Sequence, residues 1–202
     1  MKINLFGASG HAKVIIDIIR NCNLEINYIF DDNAEIKNIL GCKVNAKYSL
    51  DEVSSSPVVI SIGNNQIRQR LAHHLNCNFS KALIHPSAVV SHDAQLKEGT
   101  VVMPNSVINN SAKVGAHCII NSGAIIEHDC QIGDFVHVSP QASLGGHVEV
   151  GEGTHIGIGA SVIQNINIGK NCIIGAGAVI IYDIPDGSTV VGNPGQIIKQ
   201  NN

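Results

Sequence analysis

From Ile84 to Ile180 the chain counts in sixes, and all 17 positions at that interval are Ile, Val or Leu. Four residues after each aliphatic comes mostly something small, as at Ala88, Ala94, Thr100, Ser106, Ala112, Cys118, Ala124 and Cys130. One residue after it, glycine is frequent: Gly115, Gly133, Gly145, Gly151, Gly157, Gly169 and Gly175. A period of six fits neither a single helix nor an ordinary hairpin sheet.

It fits a parallel β-helix of hexapeptide repeats, in which each hexad is a short strand plus a turn and three hexads close a triangular coil. The aliphatic points into the prism, the small residue fits the tight corner, and the glycine is expected to relax backbone sterics where the chain bends. Coils stack at about 4.8 Å. Each buried aliphatic contributes about 1.5–3 kcal/mol, which gives the file a few tens of kcal/mol before chain entropy is charged. After Ile180 the period dissolves into Asp183-Ile184-Pro185-Asp186-Gly187 and Val190-Val191-Gly192-Asn193-Pro194-Gly195, a tail suited to capping the open prism end.

Ahead of the repeat, residues 2–6 read as a strand, Ala12–Arg20 as a helix and Glu25–Phe30 as a second strand. A short helical piece around Ser49–Val53 leads to a buried parallel-type strand, 58–62, and a helix over about 65–75. This alternation is a small Rossmann-like α/β unit. Lys81–Ile84 is expected to add one more strand to it, and the boundary falls near residue 80, giving domains 1–80 and 81–202. Three polar loops, Gly7-Ala8-Ser9-Gly10-His11, Asp31-Asp32 and Gly63-Asn64-Asn65, follow the strands and converge on their carboxyl edge. Such an edge offers backbone N–H groups to an anion and acidic groups to a ribose or base. The alternative is that the glycines serve turns and the Asp and Asn residues cap helices.

The formal net charge of −3 and the absence of a long basic run exclude nucleic acid as an expected partner. No apolar stretch approaches a membrane span and no signal peptide opens the chain, so a cytoplasmic protein is expected. The six cysteines form no C-x-x-C pair, which suits reduced thiols.

Histidines concentrate in the repeat. Residues 18 apart lie directly above one another, so Gly146 sits above His128, His147 above Asp129 and His155 above His137. A corner His128 beside Asp129, with Gly145-Gly146 one coil above, has the parts of an acyl-transfer site. The imidazole accepts a proton, the carboxylate sets its tautomer, and the Gly146 N–H holds a thioester carbonyl as it becomes an oxyanion. His92, His117 and His155 read more simply as solvated turn residues. Zinc competes as an explanation, but no H-x-H or H-x-x-H pair occurs, and the stacked His137 and His155 supply two ligands at most; no metal is expected. No residue stands out as an acyl-carrying nucleophile.

The opening G-A-S-G-H, the D-D after strand two, I-G-N-N at 62–65, I-E-H-D-C at 126–130, F-V-H-V-S at 135–139 and the closing V-G-N-P resemble bacterial nucleotide-sugar acetyltransferases of the left-handed β-helix class. That class includes UDP-4-amino-sugar N-acetyltransferases, GDP-perosamine N-acetyltransferases and proteins named after sialic-acid O-acetyltransferase. The resemblance spans essentially the whole chain. It implies a left-handed coil, a homotrimer with sites between prisms, acetyl-CoA as donor and a nucleotide-linked amino sugar as acceptor. By the same resemblance His128 is the base, and His137, Gly146, Ile158 and Ala176 face acetyl-CoA. Ser9, Gly10, His11, Asp31, Asp32 and Asn64 would hold the nucleotide sugar. The residue after the base is often Glu in that family and is Asp129 here, one methylene shorter. The expected activity is direct N-acetylation of a 4-amino-dideoxy sugar. O-acetylation of a sialic acid or other glycan hydroxyl is the nearest alternative, and a non-catalytic sugar-nucleotide-binding scaffold the alternative from another class.

Overall fold

A computed structural model describes residues 1–200. The front unit is a three-stranded parallel sheet of β1 (Lys2–Phe6), β2 (Glu25–Phe30) and, beyond a small antiparallel pair β3 and β4 (Asn38–Ile39, Cys42–Lys43), β5 (Val58–Ile60). The strand order is β2-β1-β5. Helix α1 (Gly10–Asn21) buries Ala12, Ile15, Ile16, Ile18 and Ile19, the 3.6-residue spacing of an amphipathic helix. The short α2 (Leu50–Ser54) is closed at its start by reciprocal Ser49–Glu52 hydrogen bonds, and α3 (Asn65–His74) follows β5.

The remainder is a parallel β-solenoid with two-residue strands on three faces. Face one carries the rungs Leu83–Ile84, Val101–Val102, Ile119–Ile120, His137–Val138, His155–Ile156 and Ile173–Ile174, closed by Ser188–Val191 and the antiparallel Gln196–Gln200. Face two runs from Val89–Val90 to Val179–Ile180, and face three from Gln95–Leu96 to Asn167–Ile168. Partners along each ladder are 18 residues apart, as at Ile119↔His137↔His155. Ile126, Val138, Leu144 and Ile156 are fully buried, and the small corner residues Ala112, Cys118, Ala124, Cys130 and Ala142 with them. The tail caps the stack, with Ile184 and Val190 joining the core.

Two expectations are corrected. Leu83–Ile84 pairs with Val101–Val102 and is the first rung of the solenoid, not a fourth strand of the front sheet. The repeat glycines do not supply the bend. From Leu96 to Ile174 the left-handed residue falls three places after each aliphatic and is mostly not glycine: Asn105, Ser111, His117, Asp129, Phe135, Gln141 and His147 have φ between 54° and 62°. Glycine one place after the aliphatic is needed because the next coil lies against it. A Cβ on Gly133 would meet the Glu152 nitrogen at 2.7 Å, and one on Gly145 the Gln164 nitrogen at 2.7 Å.

The outward residues distinguish the faces. Face three presents Gln95, Lys113, Gln131, Glu149 and Asn167, whereas face one presents Leu83, Val101 and Ile119 on its first three rungs. Those three share a core with Ile15, Ile16, Ile18 and Ile19 of α1, so the front unit lies on face one. Arg68, 1% exposed, fastens the two parts. Its guanidinium donates to the carbonyls of His117 (2.8 Å) and Phe135 (2.8 Å) in the solenoid and of Ile62 (3.1 Å) in the front unit.

Candidate active site

His128 stands at the corner between faces two and three, after the rung Ile125–Ile126. The next residue, Asp129, takes the left-handed conformation at φ 61°, which Asp tolerates better than most side chains. This turns its carboxylate alongside the preceding ring, and His128 Nδ1 lies 2.8 Å from Asp129 Oδ2. The shorter carboxylate therefore reaches the imidazole. With Nδ1 donating to the acid, Nε2 is left as the lone-pair nitrogen.

Gly146 sits immediately above. A Cβ there would lie 2.6 Å from His128 Cε1 and 2.7 Å from Nε2, so any side chain must displace the ring. The coils are fixed against each other by the His147 N–H donating to the His128 carbonyl at 3.0 Å. The Gly146 N–H has no acceptor among the described residues. Cys130, two residues from His128, is buried, its Sγ donating to the Gly145 carbonyl at 3.2 Å. Burial pushes its thiol up to about 11, leaving it protonated and unreactive.

The other residues expected to meet acetyl-CoA lie elsewhere on one chain. Ile158 and Ala176 occupy successive coils of the corner between faces one and two, where the Gly177 N–H donates to the Ile158 carbonyl at 2.8 Å. Ile158 is 58% exposed. His137 is on face one, its ring stacked on His155 at 4.7 Å and its Nε2 3.0 Å from Asn121 Nδ2. Face two separates the Ile158 corner from the His128 corner, so a single chain does not unite the set.

In the front unit, a cavity of about 470 Å³ opens at the carboxyl ends of β1 and β2, lined by Ser9, Asp31, Asp32, Tyr48, Ile62 and Arg70 among others. Asp31 braces the glycine loop: Oδ2 accepts the Ala8 N–H at 2.6 Å and Oδ1 the Asn33 N–H at 2.9 Å. Asp32 is exposed beside it. Asn64 caps α3, accepting the Ile67 N–H at 3.0 Å, and Gly10 opens α1. His11, on the first turn of α1, does not line this cavity. Burial first, then the Arg68 charge, lowers its pKa to about 4, and its charge in turn acts on His137.

His117 and His155 are not solvated turn residues. His117 is buried, stacked on Phe135 at 5.2 Å and edge-on to Phe79 at 4.4 Å, and burial followed by Arg68 lowers its pKa to about 4. His155 is half-buried with Nε2 2.8 Å from Ser139 Oγ. Both lie under the front unit, which the repeat alone does not reveal. His92 does match the expectation, with its side chain fully exposed. Sequence reasoning also passed over Arg68, Tyr48 and Arg70. The apolar outward positions at Leu83, Val101 and Ile119 were the available sign that face one is covered.

A hexapeptide solenoid with a histidine–carboxylate pair beneath a glycine corner, fronted by a parallel α/β unit, defines the chain as a two-part acyltransferase. The chain matches the PglD N-terminal domain family over residues 2–75 and the bacterial transferase hexapeptide (six repeats) family over residues 111–146. It is similar to a His-to-Asn mutant of perosamine N-acetyltransferase from Caulobacter crescentus, solved in complex with CoA and GDP-perosamine. Identity is 35%, TM-score 0.94, and coverage 98% of this chain and 97% of that one. The acetyltransferase domain of PglB from Neisseria gonorrhoeae, in complex with acetyl coenzyme A, is 34% identical with TM-score 0.87, and 98% of each chain is covered. The UDP-N-acetylbacillosamine N-acetyltransferase of Bacillus subtilis is 42% identical over 111 residues, 50% of this chain and 50% of its own length. A protein of Acanthamoeba polyphaga mimivirus is 34% identical over 95 residues, 19% of its length. The chain thus spans half or less of the two curated relatives. It belongs to the nucleotide-sugar N-acetyltransferase family.

Proposed function

We propose that this chain transfers the acetyl group of acetyl-CoA to the amine of a nucleotide-activated 4-amino-dideoxy sugar, with His128 as general base. The observation that carries this reading is the Asp129-held His128 ring directly beneath the side-chain-free Gly146 corner. The amine lone pair attacks the thioester carbonyl as Nε2 takes the amine proton, and the Gly146 N–H stabilises the tetrahedral oxyanion. Collapse breaks the C–S bond, and CoA leaves with the proton that His128 returns. Transfer is direct, because the nearby thiol of Cys130 is buried and protonated. Its relatives' ligands support acetyl-CoA and a nucleotide sugar as the two substrates. The cavity beside Ser9, Asp31, Asp32 and Tyr48 is our site for the nucleotide.

We further propose a homotrimer. Face two presents Val89, Val107 and Ile125 outward on its first three rungs, an apolar patch suited to another copy, with Ser143 and Ser161 following before Val179. Packing there also allows the Ile158–Ala176 corner of one copy to approach the His128 corner of another. Cytoplasmic residence accords with six free cysteines, and no helix among the described residues is long and apolar enough to cross a membrane.

A thiol-release assay tests the substrate class. Acetyl-CoA is supplied with UDP-, GDP- and dTDP-linked 4-amino sugars and with hydroxyl-only counterparts. CoA release is expected with an amino sugar alone. Release confined to hydroxyl acceptors would replace this reading with O-acetylation.

A further inference from the structure

We propose that the His128 corner also binds a borderline divalent transition-metal ion such as Zn²⁺, and that the ion switches catalysis off by fixing the wrong tautomer of His128. The inhibitory half of the proposal rests on His128 being the base; the binding half does not. His128, Asp129 and His147 each offer a ligand atom, all within 4.8 Å of one another. Asp129 Oδ2 is the hub, 2.8 Å from His128 Nδ1 and 3.5 Å from His147 Nε2. Zn–N and Zn–O bonds near 2.1 Å set ligand separations of about 3.4 Å in a tetrahedron, so small side-chain rotations suffice.

The backbone holds these groups ready. Asp129 and His147 are equivalent left-handed residues on successive coils, φ 61° and 57°, which sets their side chains one above the other. All three side chains are roughly half exposed, at 56%, 42% and 59%, so an ion can enter and a water can complete its shell. Two imidazoles and one carboxylate favour Zn²⁺, Co²⁺ or Ni²⁺ over Mg²⁺ or Ca²⁺, which take oxygen ligands. The solenoid provides its own control. His92 and Asp93 form a similar pair, 3.3 Å apart, two coils below at the same corner, but Ser111 rather than histidine stands above Asp93. Spacing rules for local histidine pairs miss the His128 cluster because two of its ligands are 18 residues apart.

In the metal-free site the single ring proton of neutral His128 sits on Nδ1 and Nε2 carries the lone pair. A metal on Nδ1 binds the electron pair that the departing proton frees there, and the ring's single proton is then carried on Nε2, whose lone pair it occupies. Nothing is oxidised and no proton is lost, but the nitrogen facing the substrate becomes a donor and cannot accept the amine proton.

Calorimetric titration of the intact protein with ZnCl₂, in a non-thiol reductant, reads binding without any acceptor. One ion per chain is expected, and Co²⁺ in its place should give visible bands without thiolate charge transfer. His147→Asn keeps a residue that tolerates the left-handed backbone. Because loss of even an outer-shell partner costs 10–100-fold in metal affinity, it should weaken binding at least about 100-fold, and His92→Asn should leave binding unchanged. In the acetyl-transfer assay Zn²⁺ should inhibit the native enzyme, a chelator should restore it, and His147→Asn should resist. Equal binding by native protein and His147→Asn overturns the site. Undiminished acetyl transfer with the corner saturated overturns the switch, whereas failure of the base reading alone would show first as an active His128→Ala enzyme.

Discussion

Replacing His128 by alanine is expected to lower kcat more than about 100-fold, the lower end of what a positioned general base contributes. The ring lies directly against the Gly146 corner, and the proposed tautomer rests on one 2.8 Å contact with Asp129. Alanine leaves the corner backbone in place, since the side chain is half exposed and packs in no core. Folding and acetyl-CoA affinity should therefore persist while turnover falls. Steady-state kinetics on the variant, with acetyl-CoA binding measured in parallel, separate these effects. A variant retaining most of its kcat would remove His128 from the base role.

Acid is expected to destabilise the protein through histidines outside that corner. His11 and His117 are lowered to about 4 and His137 to about 3, each chiefly by burial, with the Arg68 charge acting on all three. An unfolded histidine takes its proton near pH 6.5. Between that value and the folded pKa, the unfolded chain holds more protons than the native one, so stability falls as pH falls. The stability is present above about pH 6.5 and is withdrawn towards pH 4. From pH 7 to pH 5 each ring withdraws about 2 kcal/mol. The melting temperature should fall by about 10 °C or more over that interval. His117→Phe keeps an aromatic ring on Phe135 and Phe79 but cannot be protonated, so its melting temperature should fall less between the two pH values. A melting temperature equal at pH 5 and pH 7 would contradict this account of the interface.

The elements most legible in the sequence are those that repeat. A strict six-residue aliphatic period forces the prism, and the 18-residue coil that follows from it places Gly146 over His128 and His147 over Asp129 without any coordinates. The strands at 2–6 and 25–30 are bounded as their residues suggest, because burial in a parallel sheet leaves little latitude at each end. What sequence periodicity misreads is what one part of the chain does to another. His117 and His155 look like turn residues until the front unit covers face one, and His11 looks like part of a glycine loop until α1 turns it towards Arg68. The glycines after each aliphatic suggest bends, yet the bend is made three residues from the aliphatic, and the glycines admit the neighbouring coil. The site set divides in the same way: His128, Asp129 and Gly146 come together locally, while Ile158 and Ala176 sit across face two.

The central claim is direct acetyl transfer to an amine, and the most direct test follows the acetyl carbon itself. Acetyl-CoA carrying carbon-13 at the carbonyl would be turned over with the nucleotide 4-amino sugar that releases CoA fastest, and the product examined by NMR. The account predicts the label in an amide on the sugar nitrogen, with no labelled protein formed along the way. Label in a sugar ester, or carried on the protein before transfer, would contradict it.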